Sequence, residues 1–435
     1  MSMGTVVSVT ELVVDVSFSE DIPSINEVLI VQNVSQAKLL VDHIMPVGIA
    51  RCLNIDSDKN IERNMPVERT GESISIPVGD NAIGRVFNAF GKTIDDMPPL
   101  DIKNMQRKNI LDMPARNHNF EIKNPEILET GIKVIDFFTP FIMGRKAGII
   151  GGAGVGKTIL VTEIIHNVAK KGAGLPFFAG IGERIREGHE LLVTLQENDL
   201  LKETCMFFAQ MDENPIHRSL VGYSATTLVE YFRDEKKRDI LFFADNMYRY
   251  VQAKNEVSTV LGQIPSEGGY EPTIFSDVKT IQDRLSSNEN GSITSVQTIY
   301  VPADDLTDPS VQMIQHELDS TIVLSRAIAE QGIRPSVDIN KTTSSLLTPE
   351  IVGERHYYLS VQVQSLLEKY ESLKNIVAII GENELSLSDR IDYNKAKKLI
   401  QNFTQHMFVM EKRSAFKGEY FSRDQTLASI EEILA

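Results

Sequence analysis

Gly151-Gly152-Ala153-Gly154-Val155-Gly156-Lys157-Thr158 is the stretch from which the rest of this sequence is read. It fits G-x-x-x-x-G-K-[ST], and its flanks have the right character. The apolar run Ala147-Gly148-Ile149-Ile150 leads in, and a helical pattern over 158–169 leads out. In such a loop, glycines let successive backbone N–H groups converge on phosphate oxygens, and the helix N-terminus adds its dipole. Lys157 is expected to reach the terminal phosphates of a bound ATP or ADP, and the Thr158 hydroxyl to ligate Mg²⁺.

Outward from the loop, strands and helices alternate. Residues 176–181, 241–244 and 295–301 are apolar and strand-like, and 311–329 has a helical pattern. Alternation of this kind predicts an α/β core with a mostly parallel sheet and helices on both faces. Before it, 4–18, 27–32 and 47–53 read as short strands of a small β-barrel or sandwich. After about residue 348 the strands stop, and 354–373, 387–403 and 423–434 read as helices, with a capping box over Ser386–Asp389. The expected division is an N-terminal β-barrel over 1–72, a P-loop nucleotide-binding core over 73–347 and a C-terminal helical domain over 348–435.

Two further segments belong beside the phosphate loop. Leu241-Phe242-Phe243-Ala244-Asp245 is an apolar strand ending in a carboxylate, as expected of a Walker B aspartate that holds the Mg²⁺ water shell. Gly182-Glu183-Arg184-Ile185-Arg186-Glu187-Gly188 follows another apolar strand. Strand ends gather on one edge of an open parallel sheet, so this segment should face the loop. A carboxylate there can polarise a water for attack on the terminal phosphorus, and an adjacent Arg can stabilise the developing charge.

Composition narrows the classes. The 435 residues predict two to four domains at about 100–200 residues each. Hydrophobic residues at 42% supply a core, which excludes wholesale disorder. A net charge of −16 argues against a protein that coats nucleic acid, and no apolar run approaches the ~18–20 residues of a membrane span. Cys52 and Cys205 support neither a disulfide framework nor a zinc site. The expected location is the cytoplasm, with any membrane association made through partner subunits.

The phosphate loop and the 182–188 segment, taken with Glu230-Tyr231-Phe232-Arg233-Asp234, Gly262-Gln263-Ile264-Pro265-Ser266, Gly269-Tyr270-Glu271-Pro272-Thr273 and the block 291–309, resemble the beta subunit of F-type ATP synthases. The resemblance runs from near residue 4 to about 400. It implies that Glu183 is the catalytic carboxylate, that Lys157 and Arg184 are γ-phosphate ligands, and that Arg249 is a further phosphate-side arginine. It implies Thr158 as direct metal ligand, with Asp245 and Glu187 acting through water. The alpha subunits of that family carry Gln where beta carries the catalytic Glu, so Glu183 marks the hydrolytic type. The implied partners are alpha-type subunits in an alternating hexamer, with an arginine finger in trans, and a gamma-type central stalk; nucleic acid is not expected.

The resemblance has gaps. Arg334 stands where the family has an adenine-stacking Tyr, and an ungapped match puts Met407 and Arg413 at the other adenine-side aromatics, with Phe408 or Phe416 as substitutes. The family's acidic D-E-L-S-E-E-D loop reads Asn383-Glu384-Leu385-Ser386-Leu387-Ser388-Asp389, and the helical tail is shorter than expected. These departures fit either drift in a fast-evolving lineage or a specialised paralogue, an ATP-driven motor resembling the divergent F-type-like ATPases of mycoplasmas. Competing readings are a non-catalytic ring subunit, disfavoured by Glu183, and a homohexameric helicase or secretion ATPase, disfavoured by the 291–309 block.

Overall fold

The computed structural model describes residues 3–32, 36–56, 60–113, 122, 125–169, 172, 174–266, 269–412 and 415–435. Met3–Thr10, Val13–Ser17, Glu27–Val31, Lys38–Met45, Ile49–Asn54 and Pro66–Ser73 close into a six-stranded antiparallel barrel. Alternate residues such as Val14, Val16, Leu29, Val31, Leu39 and Val41 fill its interior. The apolar stretch over 4–18 is two strands, not one, because Glu11 takes a left-handed turn between them. Lys38–Met45 and Pro66–Ser73 escaped the sequence reading because polar side chains interrupt or end them.

The central sheet has eight strands in the order Thr343–Ser344, Ser320–Val323, Lys146–Gly151, Ile293–Tyr300, Ile240–Asp245, Leu175–Glu183, Cys205–Gln210 and Val86–Phe87. All neighbours are parallel except the first pair. Buried on both faces, such strands are apolar throughout, and the strand period of two divides them between two cores. Phe242 and Ala244 face the helices Pro215–Asp234, Met247–Val260 and Ile274–Arg284, while Leu241 and Phe243 face Lys157–Ala169 and Ile185–Glu197.

The expected helix over 311–329 is not continuous. Pro309–His316 and Arg326–Glu330 are helical, but Ser320–Val323 between them is a strand paired with Ala147–Ile150. Its β-branched Thr321-Ile322-Val323 suits a sheet, and four residues are too few to break a helical pattern visibly. Beyond the sheet, Glu354–Ile380, Leu387–Phe403 and Arg423–Leu434 are helices, sharing the second core through Val363, Leu399 and Ile430. Ser386 caps its helix by accepting the Asp389 N–H, but its own hydroxyl goes to the Asp389 carboxylate, so the box is one-sided. Both cysteines are buried thiols.

One buried ion pair ties the first core together. Arg284 donates to both Glu230 carboxylate oxygens and also to Ile110 O and Thr227 Oγ1, with its side chain 1% exposed. Removing the carboxylate strands a buried cation. Glu230→Ala is therefore expected to destabilise the protein by about 3–5 kcal/mol, read as a lowered midpoint in chemical denaturation.

Candidate nucleotide site

Four neighbouring strands end at one edge, and each delivers a residue there. Gly151 pairs with Tyr300 and Gly180 with Asp245, and the bulged end of the Gly180 strand presents Glu183. Segments far apart in the chain thus stand side by side, as the parallel register requires. They open onto a cleft of about 740 Å³, lined among others by Gly154, Gly156, Lys157, Thr158, Glu183, Arg184, Glu187, Asp245 and Arg249.

The loop has the backbone its glycines permit. Gly154 and Gly156 lie at φ +75° and +96°, in the region that disfavours side chains. A side chain at Gly152 would strike the Asp304 carboxylate, 1.9 Å from where its Cβ would stand. Lys157 opens the following helix and folds back over the loop, donating to Gly151 O at 2.8 Å and to Gly152 O. Its ammonium lies 5.4 Å from the Tyr300 ring centroid, and burial lowers its pKa.

Negative charge is concentrated opposite. Glu183 and Asp245 are 7% and 5% exposed. Burial first, then the Asp245 charge and a hydrogen bond with Glu187, push the Glu183 pKa far up. Burial also raises Asp245, against the hydrogen bond from Thr298 and the charge of Lys157. Glu183 is aimed by Gly182, whose φ of +63° turns the chain at the strand end, and by Arg184 N–H on its Oε1 at 3.1 Å. Arg184 and Arg186 both lie 3.7 Å from Glu187 on the exposed rim. Arg249 donates to Gln252 at 2.7 Å and lies over Tyr300, 5.7 Å from its centroid.

The arrangement is short of positive charge, and its oxygen donors suit a hard divalent cation such as Mg²⁺. Among the described residues, no group of three or more His, Cys, Asp or Glu side chains can hold a metal by itself. Mg²⁺ at Thr158, with Asp245 and Glu187 behind it, would need phosphate oxygens to complete its shell.

The base-side expectations fare differently. Phe408, Val409 and Met410 line the cleft, so of the two substitute aromatics Phe408 is the one found there. Met407 is buried in the second core and absent from the lining, because the short helical turn Phe408–Met410 rotates its neighbour inward. Arg334 is exposed outside the lining and donates to Ala329 O and Ile333 O. Phe416 stacks on His406 with centroids 4.4 Å apart. Arg413 lies outside the described residues. Tyr300, Asn246 and Thr162 also line the cleft; in the sequence Tyr300 is legible as part of an apolar strand and of the 291–309 block, with no site role of its own.

A P-loop α/β core with this strand-edge site defines a nucleotide-binding class. Residues 131–344 match the nucleotide-binding domain of the ATP synthase alpha/beta family, and residues 346–421 match the C-terminal domain of V and A type ATP synthase. Over these residues the chain is similar to an ATP synthase alpha/beta-type nucleotide-binding domain followed by a V/A-type C-terminal domain. Among the described residues, no helix is long and apolar enough to cross a membrane.

The crowded carboxylates make stability depend on pH. Unfolding returns Glu183 to its ordinary pKa of 4.5, so above that pH the unfolded chain sheds a proton that the folded chain keeps. Stability therefore falls as pH rises from about 4.5 towards the raised folded-state pKa. Glu183→Gln removes this loss. Its stability advantage over wild type is expected to grow with pH, by at most about 1.4 kcal/mol per unit, in ligand-free melts between pH 5 and 9.

Proposed function

We propose that this chain is a catalytic, beta-type subunit of an F-type or F-type-like rotary ATPase, hydrolysing or synthesising MgATP. The observation that carries the reading is Glu183, a buried carboxylate at the strand end beside Asp245, facing Lys157 of the phosphate loop across one cleft. The loop N–H groups and Lys157 bind the β- and γ-phosphates, and Arg184 and Arg249 offset charge on the transferring phosphoryl. Glu183, in its ionised form, orients the attacking water and accepts its proton. Mg²⁺, when bound through Thr158 and the waters of Asp245 and Glu187, would neutralise the phosphate oxygens. The phosphoryl oxygen bond to ADP breaks as the water oxygen bonds to phosphorus.

The domain division at 72/73 and 347/348 goes with this reading. So do alpha-type neighbours that supply an arginine across the subunit boundary, a central stalk, cytoplasmic location and attachment to a membrane only through partners. The tip of the tail bears on the stalk. Ile379 and Leu387 are 84% and 78% exposed there, and Asp389 is engaged by Lys369 at 2.7 Å, so apolar side chains share the presented surface with acids such as the exposed Glu384. The match of 346–421 to the V and A type tail supports a second reading, a catalytic subunit of V/A-type architecture.

Two measurements test this. In the reconstituted ring, Glu183→Gln is expected to cut steady-state ATP hydrolysis by at least about 10²-fold while MgATP binding persists; retained turnover would sink the catalytic assignment. Native mass analysis of the complex is expected to show an alternating hetero-hexamer. A homohexamer would point instead to a secretion or helicase type, and the copurifying stalk and membrane subunits distinguish F-type, V/A-type and channel-free motors.

A further inference from the structure

The helix that begins at Lys157 carries a second buried acid that the phosphate chemistry does not use. Glu163 is fully buried, six residues along Lys157–Ala169. Its Oε2 accepts the backbone N–H of Val409 at 3.0 Å, and its Oε1 accepts from Asn167 Nδ2 at 3.3 Å. Asn167 is anchored in turn by donating to Thr130 O at 2.9 Å. On the same helix, the His166 ring packs against Phe408 with centroids 5.2 Å apart. The carboxylate thus grips the Phe408–Met410 turn, which walls the cleft far along the chain from the phosphate loop.

We propose that Glu163 is a positioning residue that sets the distance between the phosphate loop and the base-side wall of the nucleotide cleft. A helix is stiff, with a rise of about 1.5 Å per residue, so Lys157 and Glu163 keep a fixed separation of about 9 Å along its axis. One end of that strut carries the phosphate-binding lysine, and the other holds the turn that bears Phe408. Tyr300, the other large aromatic ring of the lining, is packed under Lys157 and Arg249, which leaves Phe408 for the base. Without the carboxylate the Phe408–Met410 turn loses its hydrogen-bonded tether to the strut and keeps the looser His166 ring contact. The base then loses its wall while the triphosphate keeps its cradle.

This rests on reading the cleft as a nucleoside triphosphate site, and the test separates the two. MgATP and magnesium tripolyphosphate, which has no base, are titrated against the full chain. Glu163→Ala is expected to weaken MgATP at least about ten-fold, the scale of a hydrogen bond to a charged group, and to move tripolyphosphate by less than about two-fold. Glu163→Gln, which keeps an acceptor oxygen, restores most of the loss. Should Glu163→Ala not fold, Glu163→Asp carries the test: it keeps the charge but falls short of Val409, and the same ATP-only weakening is expected. Equal loss of both ligands, or unchanged MgATP binding in the folded variant, overturns the role of Glu163. A wild-type chain that binds neither ligand overturns the nucleotide reading itself.

Discussion

Everything functional in this molecule depends on one constraint: parallel strands in register end on the same edge. Gly151, Tyr300, Asp245 and Glu183 come from distant segments, and hydrogen-bonded pairing of their strands makes them neighbours. The pairing is stable because each strand is apolar on both faces and helices cover both. Function needs the opposite character at the very ends, where Asp245 and Glu183 replace apolar side chains.

That edge is electrostatically unsatisfied as it stands. Glu183, Glu187 and Asp245 crowd a partly buried space in which Lys157 is drawn onto loop carbonyls. Burial penalises the charges of Glu183 and Asp245, and neighbouring negative charge adds to it, so these two carboxylates hold protons that free side chains would have lost. On the proposed reading, such a site suits a ligand that brings positive charge with it and places phosphate oxygens at the loop. The chain's net charge of −16 is no obstacle, since the local field is set by backbone N–H groups and a few cations.

The fold was readable to different depths in different regions. Strands made of unbroken apolar runs, and helices with long periodic patterns such as 387–403 and 423–434, were legible from the sequence. Ser320–Val323 was not, because a four-residue strand between two helical pieces leaves no period of its own. Barrel strands with polar outer faces were partly hidden for a similar reason: half of each strand faces water.

The site divides in the same way, and for one physical reason. Local backbone chemistry needs particular residues at fixed spacing, so the sequence by itself determined the phosphate loop, Lys157, Thr158 and the strand-end acids Glu183 and Asp245. The base-side wall is built by packing between distant segments, where one residue of slip exchanges a buried side chain for an exposed one. Only the tertiary structure decided that Phe408 lines the cleft, that Met407 turns into the core, and that Arg334 lies outside. Glu163 belongs to that second class: its sequence position says helix, and only the fold shows the turn it holds.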